Sequence, residues 1–217
     1  MTPTPTTDIF VKTCLHDRDY HQYCLRSIEK FCTGFRNTVV IEGEHPRGYL
    51  QQQVVKLHAD QHTDADFILV TDSDTLFNQP VTPESFMVDG KPIWLHTPWT
   101  PEMRAVVPWF DPMQRFFGEE PPAEFMRRQP FMFPRIVLQT LREFCLSKHG
   151  RHIGDYIMDS KSFSEWNILG YHCWKHHHDL FHWVDTSKDP LPELRVYQAW
   201  SHDPLEKNAP IFERILA

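Results

Sequence analysis

The feature that most limits the fold is a short apolar run, Phe67-Ile68-Leu69-Val70, that ends in Thr71-Asp72-Ser73-Asp74-Thr75. Such a run bounded by polar residues has the length of a strand covered on both faces, the pattern of a parallel sheet. Helical periodicity precedes it. Gln51 to Ala59 groups Val54, Val55 and Leu57 on one side, and a polar connector runs from Asp60 to Asp66.

Two carboxylates one residue apart at the end of a buried strand need a physical reason. Alternate side chains of a strand share a face, so Asp72 and Asp74 meet at one point if the strand geometry continues. Unpaired carboxylates that close repel, and one tends to hold a proton. A divalent cation removes the conflict, because hard oxygen ligands suit Mg²⁺ or Mn²⁺. Ligand sites in open α/β sheets also lie beyond the carboxyl ends of strands. The bland alternative is that one of the two aspartates caps a turn.

The chain opens in the same style. Asp8 to Cys14 is predicted as the first strand, His16 to Asp19 as a turn, and Tyr20 to Cys32 as a helix with Tyr23, Leu25, Ile28 and Phe31 inward. Gly34 stands where a helix C-cap is wanted. Thr38 to Ile41 is predicted as a second buried strand, followed by a loop from Gly43 to Gly48. A strand-helix-strand start predicts parallel pairing with right-handed crossovers.

The segment from Gln51 through Asp72-Ser73-Asp74 to Phe77-Asn78-Gln79-Pro80-Val81 resembles the core of nucleotide-sugar glycosyltransferases of the GT-A fold. The resemblance implies an α/β, Rossmann-like fold with a mixed, mainly parallel sheet flanked by helices. It implies that Asp72 and Asp74 hold Mn²⁺, or Mg²⁺, against the diphosphate of a nucleotide-sugar donor, with Ser73 beside them. A UDP-linked donor is expected. In such enzymes the loop after the first strand receives the nucleoside, which makes Thr13, Asp17 and Arg18 donor-binding candidates. The helix ahead of the acidic motif lies beside the donor, which adds Lys56 and Gln53, with Gln52 weaker. A histidine late in the chain often completes the metal shell, and His202, just past the last predicted strand (Leu194 to Trp200), has that placement. Imidazole suits Mn²⁺ better than Mg²⁺. An acidic residue at the start of a helix facing the acceptor takes the hydroxyl proton in inverting members. The run Ser164-Glu165-Trp166-Asn167 resembles that place, so Glu165 is the candidate base, with Asp159 and Asp155 in reserve. N-capping by Ser162 or Ser164 accounts for an acidic first turn without catalysis.

Between Thr97 and Pro134 the texture changes, with aromatics (Trp99, Trp109, Phe110, Phe116, Phe117, Phe125, Phe131, Phe133) and arginines (Arg104, Arg115, Arg127, Arg128, Arg135) in a proline-rich stretch. Such a stretch is expected as an acceptor-side insertion, since rings stack on sugars or bases and guanidinium groups meet phosphate. The structural alternative for any single residue is a small satellite core. Ile136 to His149 reads as an amphipathic helix ended by Gly150, and Pro204 to Leu216 as a closing helix with Leu205, Ile211, Ile215 and Leu216 inward. His172, His176, His177 and His178 invite a zinc reading, but a solvated helix end is favoured, because no paired cysteines support a metal.

Length and charge limit the rest. At 217 residues the chain suits one domain, residues 8–217, behind a disordered lead of residues 1–7. A net charge of −7 gives no global attraction to nucleic acid or anionic membrane. Five cysteines without a C-x-x-C suit free thiols in a reducing compartment. No apolar run approaches membrane-spanning length, so a cytoplasmic protein is expected, in the host cytoplasm if phage-encoded. The acceptor stays open among a glycan, a protein, a small molecule and a modified DNA base. Two other readings compete. A haloacid-dehalogenase-type phosphatase also places D-x-D after a strand, but usually the first strand and with glycine following. A non-catalytic sugar- or nucleic-acid-binding module would use the same aromatic stretch.

Overall fold

Residues 4–43 and 46–217 are described in a computed structural model. The chain runs from β1 (Thr7–Thr13) through a 3-10 turn into α1 (Arg18–Phe31) and β2 (Thr38–Glu42). Then come α2 (Gly48–Lys56), β3 (Phe67–Asp72) and β4 (Thr75–Phe77). The middle of the chain holds β5 (Met87–Val88), β6 (Lys91–Pro98), α3 (Pro101–Val106), α4 (Phe110–Phe117), β7 (Ala123–Glu124) and β8 (Phe131–Pro134). It closes with α5 (Ile136–His149), α6 (Ile153–Asp159), α7 (Glu165–His176), β9 (His182–Asp185), β10 (Val196–Gln198) and α8 (Leu205–Leu216).

The fold is mixed α/β. A four-stranded sheet has the order β2-β1-β3-β8, parallel except for β8, which runs antiparallel to β3. Its middle strands have apolar centres, so Ile9, Phe10 and Val11 of β1 and Ile68, Leu69 and Val70 of β3 are fully buried. In register, Lys12 of β1 stands beside Asp72 of β3. The remaining strands form an antiparallel β4–β10 pair and a second sheet with β6 at its centre, parallel to β9 and antiparallel to β5 and β7. The parallel character expected from sequence therefore holds for three strands, and the other sheets are antiparallel or mixed.

Several local expectations need correcting. β2 is not buried. Thr38, Val40 and Glu42 are exposed and Val39 and Ile41 half-buried, because β2 is the edge of its sheet. The inner face of α1 is Tyr20, Cys24, Ser27, Ile28 and Phe31, and Tyr23 and Leu25 flank it half-buried. The cap of α1 is Cys32, in extended geometry. Gly34 lies beyond it at φ +78, where a side chain would press on Pro83. Of the expected lead, residues 1–3 lie outside the described residues, Thr6 bonds the Asp66 carboxylate through its N–H at 2.8 Å, and Thr7 already belongs to β1. Part of the expected loop at 43–48 also lies outside the described residues, and Gly48 starts α2.

The aromatic stretch 97–134 supplies much of the interior. Phe116, Phe125 and Phe133 are fully buried, and Phe131 to Pro134 is the antiparallel strand of the central sheet. Trp166 stacks on Phe131 with ring centroids 4.3 Å apart. Helix α7 is enclosed on every side from Glu165 to Cys173. Gly170 lets it approach so closely that an added Cβ would lie 2.5 Å from that of Phe125. Helix α5 ends at Gly150 in left-handed geometry, as its sequence predicts. In α8 the buried residues are Asn208 and Phe212, with the four expected inward residues half-buried. All five cysteines are free thiols. Among the described residues no helix is long and apolar enough to cross a membrane.

Candidate functional site

β3 ends at Asp72, and Ser73 and Asp74 make the turn into β4. Strand alternation therefore stops at the motif, and the turn brings all three side chains to one cavity of about 600 Å³. The Asp72 carboxylate accepts from Gln129 Nε2 at 2.6 Å through Oδ2. Its Oδ1 is buried and meets the Lys56 ammonium at 2.5 Å. Ser73 Oγ donates to Asp17 Oδ2 at 3.4 Å. Asp74 Oδ2 accepts from the Ser201 N–H at 3.0 Å. Burial, and then the negative charge of Asp72, push the Asp74 carboxyl up to about 7.

Lys56 ties this pair to α7. On α2 the inner positions are Leu50, Gln53 and Lys56, one turn apart in succession, and all three are buried. Lys56 Nζ bonds Glu165 Oε1 at 3.0 Å as well as Asp72, and lies 5.4 Å from the Trp166 ring centroid. Burial works against this ammonium, but the two carboxylates outweigh it and hold the group above the ordinary lysine value. Glu165 opens α7 and is 6 % exposed. Its N–H is capped by Gln53 Oε1 at 3.0 Å, so Gln53 serves the helix start, and Gln52 faces the cavity instead. Ser164 is the N-cap residue by position, without a capping side-chain bond.

A second cavity of about 690 Å³ adjoins the first, and Lys12, Asp17, Tyr49 and Gln52 line both. Thr13 lines this second chamber, whereas Arg18 is exposed at the start of α1 and lines neither. Lys12 is buried, with Nζ donating to the carbonyls of Thr13 and of Gly43, the latter at 3.0 Å. The chambers lie at the carboxyl ends of β1 and β3, where α/β sheets place their ligands.

The far wall of the acidic chamber comes from the 97–134 stretch, through Trp109, Met126, Arg127, Arg128, Gln129 and Phe131. Arg127 is paired with Glu124 at 2.7 Å, and Arg128 donates to the Pro192 carbonyl at 2.7 Å. Trp200, Ser201 and His202 form the rim, with His202 exposed.

The structure thus gathers Asp17, Lys56, Asp72, Ser73, Asp74, Glu165 and His202 at one cavity, with Thr13 in its neighbour. It leaves Arg18, Gln53, Asp155 and Asp159 outside both cavities. Asp159 is exposed at the end of α6, paired with Arg151 at 2.5 Å, because the short helix turns it away from the cleft. Asp155 is likewise exposed on that helix. The histidine cluster is a solvated end only in part, with His176 and His178 exposed and His177 half-buried. His172 is buried, its ring nitrogen Nε2 is 3.0 Å from Thr140 Oγ1, and His177 reaches the same hydroxyl at 2.8 Å. Burial and the neighbouring histidines hold His172 down to about 3. Sequence reasoning missed Lys12, whose signal is a lysine inside an apolar strand. It also missed Gln129, for which no local signal exists.

Among the described residues no three acidic, histidine or cysteine side chains form a ready-made metal cluster. The residues nonetheless fit a divalent cation. Asp74 is buried beside the negative charge of Asp72, which holds its carboxyl up, and both carboxylates open on one cavity with His202, although Asp72 Oδ1 already meets the Lys56 ammonium. Hard cations commonly fill the rest of their shell with substrate phosphate oxygens and water.

A family model described as "Family of unknown function (DUF6492)" matches residues 2–203, and the chain belongs to that family. No curated protein matches the chain.

Proposed function

We propose that this member of the DUF6492 family is a metal-dependent glycosyltransferase that moves a sugar from a nucleotide-sugar donor, UDP-linked in our reading, to an acceptor hydroxyl. The observation that carries the reading is the crowded pair Asp72 and Asp74, opening at the carboxyl end of β3 into a cleft with an adjoining chamber. The chambers have the size of small-molecule sites. The donor would lie with its nucleoside in the chamber lined by Thr13, Asp17 and Tyr49, and its sugar over the acidic pair.

Asp74, Asp72 and His202 would hold Mn²⁺ or Mg²⁺, which when bound neutralises charge growing on the diphosphate leaving group. Lys56 fixes the Asp72 and Glu165 carboxylates relative to each other. Glu165, in the wall of the same chamber, accepts the proton of the attacking hydroxyl. The cavity wall from Trp109 to Phe131 excludes water and takes the acceptor side.

The test is consumption of a UDP-sugar in the presence of Mn²⁺ by the full chain and by Asp74→Ala. Consumption that depends on Mn²⁺ and falls at least a hundredfold in the variant supports the reading. A second reading, a binding module without turnover, is favoured by one observation, the Lys56 ammonium already seated on Asp72. A nucleotide sugar that binds and is never consumed with any acceptor decides for the module.

A further inference from the structure

We propose that Lys12 is the phosphate-binding residue of this cleft, its ammonium receiving the diphosphate of a nucleoside-diphosphate ligand where the two chambers join. The assignment rests on the nucleotide-sugar reading for the identity of the ligand, and on the cleft itself for the anion. Lys12 is 7 % exposed on a central strand, between Ile41 of β2 and Asp72 of β3 in register. An ammonium carries three donors. Two of them meet neutral carbonyls, those of Thr13 and Gly43. Among the described residues no carboxylate forms an ion pair with it, whereas Lys56 in the same cleft has two.

A buried charge without an ion-pair partner is unfavourable, and for stability alone a position as buried as Lys12 would be better served by a hydrophobic residue. Burial accordingly holds Lys12 below the ordinary lysine value. The charges of Cys14, Asp17 and Glu42 oppose that shift, and the charge of Lys56 adds to it. Asp17 shares the wall, but its Oδ2 accepts from Ser73 Oγ and Cys14 Sγ, both at 3.4 Å. An anionic ligand supplies what the fold leaves out. Lys12 lines both chambers, so a nucleoside diphosphate lying across them sets its phosphates against this ammonium.

The experiment is calorimetric titration of the full chain, freed of metal with a chelator, with inorganic pyrophosphate, UDP and uridine. Wild type is compared with Lys12→Met, Lys12→Gln and Lys12→Arg, each shown to be folded by its thermal transition. Expected are a loss of at least tenfold in pyrophosphate and UDP affinity for the Met and Gln variants, partial recovery for Arg, and unchanged uridine affinity. Pyrophosphate and UDP affinities equal to wild type in either folded neutral variant, or no binding of either anion by wild type, overturn the assignment. The two readings fail separately. Donor turnover with unchanged anion affinity in Lys12→Met sinks only the Lys12 role, and Lys12-dependent pyrophosphate binding without donor consumption sinks only the transferase.

Discussion

Replacing Lys56 with Met tests whether the centre of the cleft is held by charge. Lys56 is 2 % exposed and bridges Asp72 at 2.5 Å and Glu165 at 3.0 Å. Removing one partner of a buried pair costs about 3–5 kcal/mol, because the remaining charge has no water to return to. Here the loss strands two carboxylates unequally. The Glu165 side chain is 8 % exposed, and Lys56 is its ion-pair partner. The Asp72 side chain is 24 % exposed and keeps its bond from Gln129, so solvent and that amide carry part of its cost. The lower end of the range applies, about 3 kcal/mol, which for a chain of this size lowers the melting temperature by about 6–12 °C. The ammonium is held above its unfolded value of 10.5, so its contribution is complete below about pH 10.5 and disappears only as pH rises through the higher folded value. The gap between wild type and variant should therefore be constant from pH 7 to 9. Combining Lys56→Met with Glu165→Gln and Asp72→Asn should recover most of the loss. Calorimetric melting in chelator reads all of this. A single variant that melts within about 1 °C of wild type at pH 7 refutes the ionic account.

Two further outcomes follow from the same geometry. Asp74→Asn should stabilise the metal-free protein at pH 8 and leave it unchanged near pH 4. The folded value of about 7 exceeds the unfolded 3.8, so wild-type stability falls as pH rises between them, by up to about 4 kcal/mol before discount for the open cleft, and denaturant titration across that interval measures it. Gly170→Ala should destabilise by about 1–3 kcal/mol through overpacking, since its methyl would meet Phe125 and the Trp94 indole nitrogen at 2.5 and 3.0 Å, and an unchanged denaturation midpoint would show that α7 can shift.

Local pattern carried the sequence reading where one face of an element is set by its own residues. The run Phe67 to Val70 and the helix Ile136 to His149 with Gly150 after it are of this kind. The reading failed where burial depends on what lies beside an element. Thr38 to Ile41 looks like a core strand because its residues are apolar throughout Val39 to Ile41, and only the sheet order makes it an edge. Helix phase decided between Gln52 and Gln53. Starting α2 at Gly48 makes Leu50, Gln53 and Lys56 the inner row, which turns Gln53 into the cap of α7 and leaves Gln52 in the cleft.

The site shows the same division more sharply. Asp72, Lys56 and Glu165 could each be named from the local sequence, but the joining of the two carboxylates through one ammonium spans 109 residues of chain and has no sequence signature. Gln129 reaches Asp72 across 57 residues because β8, which follows it, runs antiparallel beside β3, and that pairing turns an apparent surface stretch into a wall of the cleft. Lys12 differs from these cases, since its anomaly is local. An ammonium within Ile9-Phe10-Val11-Lys12 contradicts the apolar pattern of its own strand, and such contradictions tend to mark function, where selection for a ligand outweighs stability. The cleft holds both kinds of conflict together, an acidic pair too crowded for its charge and a buried cation short of one. A ligand that brings a divalent cation and a diphosphate relieves both, whereas a ligand with only one of them leaves the other conflict in place.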